Sequence, residues 1–253
     1  MKLGFRQLKI TFVISLVSLC FTLVQAQSVK SEILPSLIFN APPPPDDINA
    51  PGNRVGGGKR GCESMDKQLD TSKKKRLTAL VPVYQFANAE LVFGLTTTSH
   101  PTFWFYVPDK VATVLAEFVL QNEAGETIYQ SPVSLSGTPG VVRFSLPSTT
   151  SLLEIGKRYH WYFNTYCNLQ QSPIFVNGWI KRVEQNPILK SQLETATPNQ
   201  RIALYATNGI WYDSLTASAE LRRLNPKHTD WAAMLQAVGL NNIASEPIVD
   251  CCQ

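Results

Sequence analysis

The 253-residue chain carries little of what metal binding or nucleophilic catalysis requires. Its three histidines, His100, His160 and His228, lie far apart, and no CxxC pair occurs, so the ligand spacing of a zinc site is missing. No GxSxG elbow is present to expose a serine nucleophile. Charge of one sign is also scarce. The formal net charge is +4, and three of the basic side chains (Lys2, Arg6 and Lys9) sit in the first 26 residues, which hold no acidic ones. Without that segment the charge falls to +1, and the electrostatic case for nucleic acid or anionic lipid largely disappears. Beyond the N-terminus no apolar run approaches membrane-spanning length.

The N-terminus is therefore distinctive. Its cationic start is followed by an apolar run from Ile10 to Val24 and by Val24-Gln25-Ala26, a small-residue cleavage site. That order reads as a secretory signal peptide over residues 1–26. The run is ~15 residues, shorter than the roughly 20 that cross a bilayer, which leaves an uncleaved anchor as the alternative. Export turns attention to the cysteines. Four of the five remain after cleavage (Cys62, Cys167, Cys251 and Cys252), and an even count outside the cell favours disulfides, with free thiols as the other reading. A bridge between the adjacent Cys251 and Cys252 is disfavoured by strain.

Residues 27–74 read as a flexible linker. Pro42 to Pro45 form a stiff polyproline stretch and Gly56-Gly57-Gly58 its flexible opposite. Ahead of Lys59 the glycines resemble a phosphate loop, but Asn53 stands at the first glycine position and Arg60 replaces the magnesium-binding hydroxyl. The basic run Lys73-Lys74-Lys75-Arg76 reads as a solvated approach to the first strand, with an anionic binding patch as the alternative.

From residue 75 to 185 the pattern is that of short strands separated by turns. Thr102 to Val107 is a run of aromatic and β-branched residues bracketed by Pro101 and Pro108. Asn122-Glu123-Ala124-Gly125 predicts a hairpin turn. Seven or eight such strands predict an antiparallel sandwich. The spacing of Leu153, Gly156 and Tyr159 resembles the tyrosine corner of immunoglobulin and fibronectin-type domains, in which the phenol bonds back to nearby backbone. In the following strand Tyr159, Trp161, Phe163 and Thr165 share one face and are assigned to the core. His160, Tyr162, Asn164 and Tyr166 share the other, which makes His160 a surface or cross-strand residue.

After Pro187 the period becomes helical. Helices are predicted over Ile188–Thr195, Arg201–Ala206 and Asp213–Leu224, and a fourth carries Trp231, Leu235 and Val238 on one stripe. Thr229 is the expected N-cap of the last and Gly239 its stop. The stretch from Tyr205 to Pro226 resembles a single tetratricopeptide unit, which needs neighbours to bury its faces. Residues 186–253 are therefore read as a helical subdomain packed on the sandwich, giving an α+β fold overall.

Several motifs follow one another in a fixed order. They are Pro51-Gly52-Asn53-Arg54, Gly56 to Cys62, Leu77 to Pro82, His100 to Pro108, Gly156 to Tyr162, Gly178 to Arg182, Gly209 to Asp213, and Val238-Gly239-Leu240. In this the chain resembles the domain-of-unknown-function family 928 from about Asn40 to the C-terminus. The resemblance implies an exported protein of the cyanobacterial type and brings no activity, cofactor or catalytic residue.

Chemistry has few footholds. His100, before Pro101, suits a strand end better than a general base, and Asp213 suits the start of a helix, where the dipole favours a carboxylate. Glu117 and Glu123 fall in or beside the hairpin, with no partner that sequence identifies for glycosidase chemistry. Cys167 as a nucleophile competes with disulfide formation. Aromatic residues favour recognition instead. Trp104, Tyr106, Tyr166 and Trp179 form the candidate binding surface, with Tyr162 beside them, unless the helices cover the rings. The expectation is an exported, non-catalytic binding or assembly module without cofactor or metal, engaging an envelope protein or glycan rather than nucleic acid and holding no membrane span after cleavage. An exported hydrolase and a structural accessory subunit are the alternatives.

Overall fold

A computed structural model describes residues 37–45, 51–57, 75–86, 89–108, 115–135, 137, 139–150, 153–166, 170 and 172–249. Residues 1–26, expected to form a signal segment, and Cys62, Cys167, Cys251 and Cys252 lie outside the described residues. The described part is an α+β arrangement of two sheets and four helices.

Alternation of apolar and polar residues produces nine strands among the described residues: β1 (Thr78–Ala79), β2 (Val83–Phe86), β3 (Ala89–Thr96), β4 (Thr102–Val107), β5 (Leu115–Gln121), β6 (Thr127–Val133), β7 (Gly140–Ser145), β8 (Arg158–Tyr166) and β9 (Ile174–Arg182). They form a three-stranded sheet in the order β1-β4-β7 and a six-stranded sheet in the order β2-β3-β9-β8-β5-β6. Between β5 and β6 the Asn122 side chain accepts from the amides of Ala124 and Glu126, and Gly125 takes φ +81° to close the turn. One pairing departs from the expected antiparallel pattern: β3 runs parallel to β9, with Phe93 opposite Trp179 and Thr96 opposite Arg182. A parallel pair needs a long crossover, and the chain supplies one by building β4 to β8 between the two strands.

The sheets meet through aromatic rings. Phe105 stacks on Phe163 at 4.2 Å, Phe144 on Phe118 at 4.3 Å, and Phe103 lies 4.7 Å from Phe118. Those made by β4 use its odd positions, Phe103 and Phe105. Even positions face the helices, as Trp104 packs edge-on against Trp231 at 5.8 Å.

The four helices are α1 (Pro187–Thr195), α2 (Pro198–Thr207), α3 (Trp211–Leu224) and α4 (Asp230–Ala237). Proline at the first turn and a polar cap start the first two. Asn186 accepts from the Leu189 amide at 2.8 Å, and Thr197 and Gln200 form a reciprocal capping box. Thr229 occupies the N-cap position of α4, but its backbone is already helical and its side chain makes no cap bond, contrary to expectation. The α4 helix stops before Gly239, whose φ is +73°. Trp211 and Tyr212 dock the start of α3 against β3. The approach depends on Gly94, where a Cβ would stand 2.8 Å from the Tyr212 ring. Trp211 is fully buried and donates to the Leu80 carbonyl at 2.8 Å.

The described parts of the expected linker are tied to the body instead of spanning free space. Asn40 donates its amide to the Ala206 carbonyl and its side chain to that of Thr207, satisfying the open end of α2. Phe39 packs on Trp211 at 4.9 Å. Further on, Asn53 bridges Asn177 of β9 and Val55 bridges Thr78 of β1. Residues 53–55 therefore join one sheet to the other. Arg54 reaches across to the Val238 carbonyl at 2.8 Å. At the C-terminal end Ile248 bridges Val141, and Lys75 pairs with Glu246, so the described part of the basic run is structural.

A chain trimmed to start at Val55 loses the bonds made by Asn40, Gly52, Asn53 and Arg54. At about 1 kcal/mol net for each intramolecular hydrogen bond, its unfolding free energy should fall by about 3 kcal/mol or more. Urea unfolding of the trimmed and untrimmed proteins measures this, and equal midpoints would return the segment to a passive linker.

Candidate functional site

The expected aromatic surface divides in two. Trp104 and Tyr106 are buried, at 1% and 4% exposure, and belong to no open surface. The Trp104 indole donates to Thr216 Oγ1 of α3 at 3.0 Å, and Tyr106 lies under Lys75, whose Nζ is 6.0 Å from the ring centroid. For Trp104, cover by α3 and the Trp231 ring is the physical reason for this correction. Tyr166 and Trp179 remain half-buried on the outer face of the six-stranded sheet.

That outer face is built by strict alternation. In β8, Tyr159, Trp161, Phe163 and Thr165 are buried toward the core, so His160, Tyr162, Asn164 and Tyr166 project outward. In β9 the outward set is Phe175, Asn177, Trp179 and Lys181, and in β5 it is Leu115, Glu117, Val119 and Gln121. Register aligns them: Phe175 lies opposite Asn164, and Trp179 opposite His160. Glu117 lies opposite Asn164 on the other side of β8. Phe175, 39% exposed, is an outward ring that the sequence reading missed. Its signal was the alternation with the buried Val176 and Ile180.

Polar groups on this face are held by one another. The Glu117 carboxylate accepts from Gln130 Nε2 at 2.7 Å, Asn164 Nδ2 at 3.2 Å and Tyr166 Oη at 3.3 Å. All three donors are neutral and come from neighbouring strands. Burial and the adjacent Glu117 push the Tyr166 phenol up. Beside them His160 stacks flat on Trp179, with centroids 4.4 Å apart and planes 7° from parallel. Asn177 Nδ2 donates to His160 Nε2 at 2.9 Å, which places the ring proton on Nδ1, facing the Tyr162 oxygen at 3.0 Å. Burial holds this imidazole down to about 4, so it stays neutral.

The residues considered for catalysis have other attachments. His100 lies between Ser99 Oγ at 3.2 Å and the Thr150 carbonyl at 3.2 Å, which orients it at the start of β4. Asp213, in the first turn of α3, accepts from Thr96 Oγ1 at 2.6 Å, from Thr97 Oγ1 at 2.5 Å and from the Thr97 amide. It locks the end of β3 to the helix, and burial pushes its carboxyl up against the pull of these donors. Glu123 pairs with the Arg158 side chain at 3.1 Å and accepts its amide, which lowers the carboxyl. Cys167 lies outside the described residues, as do Cys62, Cys251 and Cys252. Among the described residues no cluster of three His, Cys, Asp or Glu side chains could hold a metal ion, and no helix is long and apolar enough to cross a membrane.

At the corner before β8 the Tyr159 hydroxyl accepts from the Glu154 amide at 3.0 Å. Leu153 is fully buried, and Gly156 takes φ +85° to make the turn. The phenol thus pins the turn that feeds the strand carrying His160, Tyr162 and Tyr166.

In comparison with known proteins, residues 55–248 match the model of a family described as Domain of Unknown Function (DUF928). No curated protein and no solved structure matches the chain.

Two expectations follow from the buried groups. His160 takes its proton less readily in the fold than in the unfolded chain, so its share of stability is lost as pH falls from about 6.5 toward about 4. Urea midpoints at pH 7.5 and pH 4.5 should therefore differ more in the wild type than in H160Q, and equal differences would contradict the assignment. Asp213, raised by burial, acts with the opposite sign, favouring the fold at low pH. Replacing it leaves buried donors unmet, so D213A should cost about 3 kcal/mol in the same assay and D213N clearly less.

Proposed function

The chain belongs to the family described as Domain of Unknown Function (DUF928), and from its own surface we propose that it is an exported, non-catalytic binding module of the cell envelope. The observation that carries this reading is the outer face of the six-stranded sheet. Half-exposed rings at Tyr162, Tyr166 and Trp179, with the more exposed Phe175, share that face with the amides and carboxylate of Asn164, Gln130 and Glu117. Rings supply contact area at low entropic cost, and oriented polar groups between them supply direction, which is the composition of a recognition surface. The hydrolase alternative would draw on His100 or Asp213, and both are engaged in holding loops and helices.

In this reading the two sheets form an immunoglobulin or fibronectin-like sandwich carrying a small helical subdomain. The ring contacts between sheets and the Tyr159 corner support that assignment. Export rests on residues 1–26, and it would place Cys62, Cys167, Cys251 and Cys252 in an oxidising compartment where disulfides form. Residues 37–45 and 51–57 are bonded to the body through Asn40, Gly52, Asn53 and Arg54.

Cell fractionation followed by N-terminal sequencing should find the mature chain outside the cytoplasm and beginning at Gln27. An uncleaved chain retained in the cytoplasm would contradict export. Binding of the purified protein to isolated envelope material should be reduced in F175A and unchanged in I188S, which alters an exposed residue of α1. Equal binding by F175A and wild type would remove the outer sheet face from the account.

A further inference from the structure

The four outward rings stand in a row along the strand direction. In the β8–β9 register Asn164 lies opposite Phe175, Tyr162 opposite Asn177, and His160 opposite Trp179. Projected onto β8, the rings of Tyr166, Phe175, Tyr162 and Trp179 therefore follow at two-residue steps, alternating between the two strands. At about 3.3 Å of rise per residue, each step is about 6.6 Å and the row extends about 20 Å. That is longer than any single small ring and matches a short stretch of linear polymer. Trp179 is fixed in plane by the His160 ring stacked beside it from the neighbouring strand, so this end of the row is rigid.

The charges beside the row narrow the polymer. Glu117 stands next to its middle, while Lys181 lies beyond Trp179 at one end, near Arg158, which is paired with Glu123. An anionic chain would carry its charge past Glu117, which costs Coulomb energy without a matching line of cations. A carboxylate has about four lone-pair positions, and three neutral donors on Glu117 orient it while leaving room for one more donor. A sugar hydroxyl supplies such a donor, and the apolar face of a sugar ring matches an aromatic ring. Resting on the binding-module reading, we propose that this row is the track for a linear, uncharged polysaccharide. Successive sugar rings lie on Tyr166, Phe175, Tyr162 and Trp179, and one hydroxyl donates to Glu117.

The test titrates the purified protein with uncharged glucose and mannose oligomers of two and six sugars, in β-1,4, β-1,3 and α-1,4 linkage, followed by calorimetry and tryptophan fluorescence. An alginate hexamer and solubilised envelope proteins are the comparison ligands. At least one uncharged hexamer should bind tenfold or more tighter than its dimer, with a change in tryptophan emission from Trp179. F175A and Y166A should each weaken it about tenfold, the scale of losing one well-placed ring at an interface. E117Q should weaken it while the protein still melts in one cooperative transition, which separates lost binding from a lost fold. Failure of every uncharged hexamer, or equal affinity for dimer and hexamer, would overturn the polysaccharide track. If alginate or an envelope protein then binds in a manner lost in F175A, the ligand class is wrong and the binding face stands. Binding of any of these ligands with F175A, Y166A and E117Q all unaffected would overturn both.

Discussion

Burial of both faces of β4 is the constraint on which the rest of the architecture depends. Phe103 and Phe105 need an apolar surface on one side, and Trp104 and Tyr106 need one on the other. The six-stranded sheet supplies the first through Phe118, Trp161 and Phe163, and the helices supply the second through Thr216 and Trp231. A single strand thus requires a second sheet and a helical cover together. Each fully buried aromatic side chain contributes roughly 1.5 to 3 kcal/mol relative to exposure, so loss of either cover would be costly. With both faces of the small sheet engaged, the aromatic face left half-open in the described structure is the outer one of the large sheet.

Several smaller devices hold these layers in register. Residues 53–55 link β9 to β1, so the two sheets are joined by hydrogen bonds at one side as well as by rings between them. Asp213 fastens α3 to the end of β3, and the Trp211 indole fastens it to the Leu80 carbonyl. Arg222 donates to the carbonyls of Ala244 and Glu246 and lies over the Trp231 ring, drawing the last described residues onto the helices. Each joins segments distant in sequence through a buried or half-buried polar contact. The outer face is organised differently, with Glu117, Asn164, Gln130 and Tyr166 bonding across adjacent strands and remaining open to solvent on one side.

Local features were legible in the sequence wherever the determining contacts are local. The turn at Asn122 to Gly125, the change of period after Pro187, and the alternation that separates Tyr159, Trp161 and Phe163 from Tyr162 and Tyr166 all follow from neighbours within a few residues. Family membership was legible too, because it rests on motifs in a fixed order. The parallel pairing of β3 with β9 was not, since nothing local to Phe93 or Trp179 encodes a partner more than eighty positions away. Trp104 and Tyr106 misled for the same reason: alternation says that two faces exist, but not that a helix more than a hundred residues on will cover one of them. Proline and glycine content made residues 27–74 read as a flexible linker, and nothing local to Asn53 or Val55 encodes their bridges to β9 and β1. Phe175 was overlooked because it lies in the apolar run Ile174-Phe175-Val176, which does not by itself say which of these side chains faces outward.

The rings divide between a closed core and the outer face of the six-stranded sheet. Hydroxyl-radical footprinting of the purified protein, read by mass spectrometry, tests this division directly because every tryptophan is assigned to one side. Trp179, Phe175, Tyr162 and Tyr166 should be oxidised in the free protein, while Trp104, Trp161, Trp211 and Trp231 are spared, and added envelope polysaccharide should protect the first group alone. Oxidation of Trp104 as rapid as that of Trp179, or a ring row left equally reactive with and without envelope material, would contradict the account.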